Sequence, residues 1–127
     1  MKLRQNAPCP CQSGKRAKGC CGPILKGEEA TTPEALMRSR YTAYATGTDH
    51  HIIRTTHPSG PHFEPNPAQW HASVRSFCSA TQFEGLTVHS QAIDGDRGEV
   101  HFTATLRQSG TQTTMEERSL FFKQNGH

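Results

Sequence analysis

The chain has 127 residues, 32% of them hydrophobic, and a formal charge of +3, with a mean hydropathy of -0.73. That size fits one domain with a small appendage and excludes two full domains. No apolar run approaches the roughly 18–20 residues of a membrane span, and the charged N-terminus MKLRQNAPCPC lacks the apolar stretch of a secretory signal, so the expected compartment is the cytoplasm.

Charge and cysteine divide the chain. Residues 1–27 carry Lys2, Arg4, Lys15, Arg16, Lys18 and Lys26 with no acid, a formal +6, against -3 for the rest. Four of the five cysteines also fall within the first 21 residues. Leu3, Ile24 and Leu25 are the only large aliphatics of this head, so it is not expected to fold by burying a core of its own. A reducing compartment turns the cysteines towards metal or redox chemistry before disulfides. Cys9-Pro10-Cys11, eight residues and then Cys20-Cys21 place four thiols within thirteen positions. Tetrahedral zinc takes four such ligands, and adjacent cysteines bridge each other only with strain. Ser13-Gly14 lets the intervening loop reverse and present backbone N–H groups to sulfur, while Gly19 and Gly22 relieve crowding beside the closing pair. Lys15, Arg16 and Lys18 offset the charge of the thiolates or form an outward basic face.

From residue 28 onwards helices precede strands. Thr31 or Thr32 caps a helix with Pro33 in its first turn and Glu34 on its dipole, ending near Gly47. A short helix from Asp49 to about Thr56 follows, then a proline-rich loop over residues 58–67. A third helix, Ala68 to Ser79, aligns Trp70, Val74 and Phe77, and Cys78 within it reads as a buried, inert thiol. Strands are expected over Phe83–Ile93, Glu99–Arg107 and Thr113–Lys123. In the second, Val100, Phe102, Ala104 and Leu106 alternate with His101, Thr103, Thr105 and Arg107. Asp94-Gly95, Ser109-Gly110 and Asn125-Gly126 supply turn chemistry. Helices followed by an antiparallel sheet make an α+β architecture.

The segment CPCQSGKRAKGCCG resembles the SEC-C motif, the zinc knuckle found at the C-terminus of the SecA translocation ATPase. Cys9, Cys11, Cys20 and Cys21 match its spacing, and Ser13-Gly14 matches its Ser-Gly. The continuation GPILKGEEATTPEALMRSRYTAYATG, with His57-Pro58-Ser59, Trp70 and Glu117-Arg118-Ser119, is similar to the YchJ family of small bacterial proteins. The resemblance implies one Zn(2+) per chain on the four cysteines, a knuckle over residues 1–27, and a body over residues 28–127. It implies for that body a nuclear transport factor 2-like cone: helices packed in the concave face of a curved antiparallel sheet around a small cavity. It also implies a further aromatic strand after Asn125-Gly126, which this sequence does not contain. The SecA knuckle binds an acidic chaperone. By analogy, Lys15, Arg16 and Lys18 are expected to meet an acidic protein surface or the ribosome.

Nucleic acid is a poor fit, because no aromatic side chain lies among the bases of the head to stack on a nucleobase. In the body, Arg40, Tyr44 and Trp70 are the candidate ligand-binding residues. Arg40, near the interior, requires an anionic partner, either internally from Glu117, Glu99 or Glu64, or from a bound ligand. An isomerase, dehydratase or hydrolase would use a histidine base, with His57 and Glu117 as candidates. His50 and His51, adjacent at a helix start, are expected to be solvated. A cavity-bound small molecule or a protein partner, rather than catalysis, is the expected business of the body.

Overall fold

A computed structural model describes residues 5–56 and 66–122, apart from the side chains of Pro67, Leu120 and Phe122. The order of elements is a 3-10 turn Ala17–Gly19, α1 Cys21–Leu25, α2 Pro33–Thr46, α3 Asp49–Thr55, α4 Pro67–Ala80, β1 Thr81–Asp94, β2 Arg97–Gln108 and β3 Thr111–Phe122. Helices thus precede a three-stranded antiparallel sheet ordered β1-β2-β3. His57 and Asn125-Gly126 lie outside the described residues, as does nearly all of the expected proline-rich loop.

The ends of α2 follow from its sequence. Thr32 accepts the Ala35 N–H at 3.1 Å, Pro33 occupies the first turn, and Gly47 closes the helix at φ +72°. Asn66 caps α4 in the same way through the Gln69 N–H, 3.0 Å away. The sheet starts two residues earlier than the apolar pattern suggests, because Thr81 both ends α4 and opens β1. Ser109 at φ +51° and Gly110 at φ +80° form the two-residue turn between β2 and β3.

Alternation along β2 sets the two faces of the sheet. Val100, Phe102 and Ala104 are buried, and with Leu86 of β1 they pack on Met37 and Tyr41 of α2. Gly98 lies so close to the Pro33 ring that a Cβ there would collide with it. A second apolar cluster, Leu25, Ala43, Ile52, Trp70 and Val74, lies among α1, α2, α3 and α4. Cys78 packs half-buried against it. Among the described residues, no helix is long and apolar enough to cross a membrane.

The helix α3 corrects one expectation. His50 is exposed as anticipated, but His51 is fully buried. Successive residues on a helix point about 100° apart, so His50 can face water while His51 turns to the core beside Ile52. Its polar atoms are satisfied there. Arg54 Nη2 lies 2.6 Å from Nδ1, and since guanidinium only donates, Nδ1 accepts. The ring proton therefore sits on Nε2 and is donated to Ser39 Oγ, 2.9 Å away. Ser39 Oγ in turn donates to the Leu36 carbonyl at 2.6 Å.

Candidate metal centre

The head forms a short hairpin that closes on its cysteines. Cys9 N–H donates to the Lys15 carbonyl at 2.9 Å, and Ala17 N–H to the Ala7 carbonyl at 3.0 Å, on either side of a Pro8–Arg16 bridge. The reversal between them uses left-handed backbone at Gln12, φ +63°, and Gly14, φ +88°, the latter at no steric cost. The 3-10 turn and α1 then bring Cys20 and Cys21 back to the first pair. A Cβ at Gly22 would sit 2.8 Å from the Ala17 carbonyl oxygen, so a glycine is required there. Gly19 has open space around it, so the expected relief of crowding comes from Gly22 alone.

The ligand atoms of Cys9, Cys11, Cys20 and Cys21 all lie within 4.8 Å of one another. Sulfurs placed about 2.3 Å from a tetrahedral ion would be ~3.8 Å apart. Cys11 and Cys20 are 3.5 Å apart, and Cys20 and Cys21 3.9 Å. The donor set therefore fits one thiophilic metal ion. Cys9, Cys11 and Cys21 are buried and Cys20 is partly exposed, and all four are free thiols. Crowding splits their proton affinities. Cys9 is held far below the ordinary thiol range by hydrogen bonds from Cys11 and then Cys21. Cys21 is pushed far up by its hydrogen bonds with Cys11 and Cys9 and by burial. A shared divalent cation lets all four ionise together.

The supporting contacts differ from those expected. Ser13 reaches the site through its hydroxyl, 3.2 Å from Cys20 Sγ, and that oxygen also accepts the Lys15 N–H at 3.2 Å. Two residues of α2 also join the site. Fully buried Thr42 donates from Oγ1 to Cys21 Sγ at 3.3 Å and lies 3.6 Å from Cys9 Sγ. Arg38, one turn earlier, donates from Nη1 to the Cys11 carbonyl at 2.9 Å while its Nε pairs with Glu34 at 2.9 Å. Gln12 fastens the hairpin to β1, donating to the Glu84 carbonyl at 3.1 Å and accepting the Leu86 N–H at 3.5 Å. Cys9, Cys11, Ala17 and Cys21 accordingly belong to the same buried cluster as Met37, Tyr41, Leu86 and Val100. The head, too poor in aliphatics for a core of its own, thus contributes its sulfurs to a core shared with α2 and the sheet. Thr42 and Arg38 are readable in the sequence only as an i, i+4 polar stripe on a helix that otherwise faces apolar partners.

Lys15, Arg16 and Lys18 are exposed on the loop between the two cysteine pairs. In the body, Arg40 donates from Nη1 to Thr55 Oγ1 at 2.6 Å, to the Ile52 carbonyl at 3.2 Å and to Thr56 Oγ1 at 3.3 Å. It also interacts with Tyr44 and feels the charge of Glu117. Glu117 faces Phe102 across the β2–β3 ladder, on the side of the sheet that α2 covers. Arg40, Tyr44 and Glu117 are therefore brought together, and Tyr44 also packs against the cluster that holds buried Trp70. Tyr44 stacks on Phe83 with ring centroids 6.2 Å apart and meets Phe77 edge-on at 5.6 Å. A polar groove of about 300 Å³ lined by Ser79–Gln82, Arg107, Ser109 and Gly110 involves none of these candidates.

Comparison with known proteins assigns the family. Residues 32–127 match the family described as YchJ, middle NTF2-like domain. The chain belongs to the YchJ family. A UPF0225 protein of Deinococcus radiodurans is 40% identical over 121 residues, covering 94% of this chain and 82% of its own. The solution structure of a SEC-C motif containing protein from Rhodopseudomonas palustris superposes with a TM-score of 0.78 at 36% identity. It covers 94% of this chain and 91% of that one. The crystal structure of a SEC-C motif containing protein from Psychrobacter arcticus shares the fold, with a TM-score of 0.73 at 23% identity over 98% of this chain and 77% of that one. The chain is thus a SEC-C and NTF2-like protein of α+β architecture whose four-cysteine cluster is suited to a metal.

Proposed function

We propose that this YchJ-family chain binds one zinc ion on Cys9, Cys11, Cys20 and Cys21, and that the resulting knuckle presents Lys15, Arg16 and Lys18 to a partner with an acidic surface, such as a protein or the ribosome. The observation that carries the reading is the division of the knuckle. Its cysteines are buried against α2, while the three bases on the loop between them are exposed. Four thiolates around a divalent ion suit zinc, which imposes no redox chemistry and holds a closed tetrahedral site. Long cations on such a loop act over a surface, where charge complementarity governs encounter and is screened by salt.

In the body, Arg40 has hydrogen-bond partners on α3 and the charge of Glu117 nearby, which supports an internal network over an anion-binding role. The body is read as a ligand- or partner-binding module, with catalysis by a His57 base as the alternative.

The test combines two measurements on one variant. Replacing Lys15, Arg16 and Lys18 by Glu should leave one zinc per chain by elemental analysis. The same protein should lose salt-sensitive co-sedimentation with ribosomes, or binding to an immobilised acidic peptide. Loss of zinc in the variant, or wild-type binding by it, would refute the interaction face.

A further inference from the structure

The outer face of the sheet, away from α2, carries a second set of metal-ligating side chains. His89 of β1, His101 of β2 and Glu116 of β3 each offer one ligand atom, and the three atoms lie within 4.8 Å of one another. His101 Nε2 is 3.6 Å from Glu116 Oε1, and the two imidazole centroids are 4.7 Å apart. Strand register produces the grouping. His101 alternates with buried Val100 and Phe102, so it points away from the core. Thr103 lies opposite Glu116 on one side and Thr87 on the other. His89 is the unpaired residue where the β1–β2 register shifts between Val88 and Ser90, and such a bulge re-aims a side chain.

We propose that His89, His101 and Glu116 form a second, solvent-facing site for a divalent first-row transition metal. Two imidazoles and one carboxylate suit Zn(2+), Ni(2+) or Cu(2+) rather than Mg(2+) or Ca(2+), which take oxygen ligands. Three protein ligands leave a coordination position for water or an anionic oxygen. Thr103 Oγ1 lies 2.7 Å from His89 Nε2 and restrains that ring, so His89 would coordinate through Nδ1 with Nε2 held by the hydroxyl, as metal-bound imidazoles require. The nearest opposing cation on the face, Arg118 across from His101, is paired with Glu99 at 3.3 Å. An ordinary cross-strand ion pair would need only His101 and Glu116, and it would not account for the bulged third ligand. The site is also independent of the cysteines, which pack on the opposite face of the sheet with Val100 and Phe102.

The experiment is a calorimetric titration of Zn(2+) into the full chain already equilibrated with one equivalent of zinc. One further equivalent should bind. His89→Ala, His101→Ala and Glu116→Gln should each weaken that step at least tenfold, and Thr103→Val should weaken it by about tenfold through the His89 ring. The ring resonances of His89 and His101 should shift together in the wild type. His50→Ala, which removes an exposed histidine outside the cluster, should bind as the wild type does. These ligands are on an open strand surface, so Glu116→Gln, the mildest change, keeps the test readable if a histidine variant folds poorly. No second equivalent in the wild type, unchanged binding in Glu116→Gln, or equal weakening by His50→Ala would overturn the proposal.

Discussion

Burial of His51 makes stability depend on pH, and the dependence can be worked from its contacts. Burial, followed by the charges of Arg54, Arg40 and His50, lowers its pKa from 6.5 to about 4. The Arg54 contact fixes the direction: Nδ1 must accept from the guanidinium, so a second ring proton would point at a cation. Between these two values the unfolded chain holds a proton that the folded chain does not. Stability from this group is therefore complete above pH 6.5 and is lost as pH falls towards 4. Linkage puts the full loss on the order of 3 kcal/mol, and about 2 kcal/mol of it is spent by pH 5. For a domain of this size the pH 5 loss lowers the melting temperature by roughly 8 °C. Urea unfolding at pH 7 and pH 5, on wild type and His51→Gln, isolates the effect. Carboxylates and the metal centre are common to both proteins, so the wild type should lose about 2 kcal/mol more than the variant over that interval. In the wild type, the His51 ring should remain neutral at pH 5 by NMR. Equal pH dependence in the two proteins, or a His51 ring that titrates near 6.5, would refute the reasoning.

Two further outcomes concern the cysteine centre. Thr42→Val keeps the side-chain shape but removes the hydroxyl that donates to Cys21, so zinc affinity measured against a competing chelator should fall about 10–100-fold with all four ligands in place. Chelation should loosen the body as well as the head, because the cysteines share a cluster with Met37, Tyr41 and Val100. Hydrogen exchange should then accelerate at the amides of α2 and β2, whereas acceleration confined to residues before Gly27 would show that the head is an independent unit.

What the sequence reveals is what neighbouring residues determine. Thr32 and Gly47 bracket α2 through bonds spanning three or four positions, and alternation in β2 separates Val100 from His101 without reference to the rest of the chain. The four cysteines are equally legible, since the loop that joins them is short. Contacts between distant segments are not legible. Thr42 is 21 residues from Cys21, and Gln12 is 72 residues from Glu84. α1 has five residues, two of them Gly and Pro, too few to show periodicity. His51 is the clearest case, because the sequence sets His50 and His51 about 100° apart on the helix but does not show which of the two turns inward.

The integration of the cysteines into the core bears on the proposed interaction. A knuckle joined to a body by a linker would present its bases on a mobile platform, and binding would have to order it. Here the loop carrying Lys15, Arg16 and Lys18 is held at both ends: Cys9 N–H bonds to the Lys15 carbonyl, Ala17 N–H to the Ala7 carbonyl, and Lys18 N–H to the Gln5 carbonyl. Beneath it, Arg38, Thr42 and Gln12 tie the hairpin to α2 and β1. The backbone positions of the three bases are thus set before any partner arrives, which reduces the ordering cost of association to their side chains. Thr42 and Arg38, though they touch no partner, become positioning residues for that surface. Loosening either should weaken the proposed contact through the knuckle's orientation, with the charge of the loop unchanged.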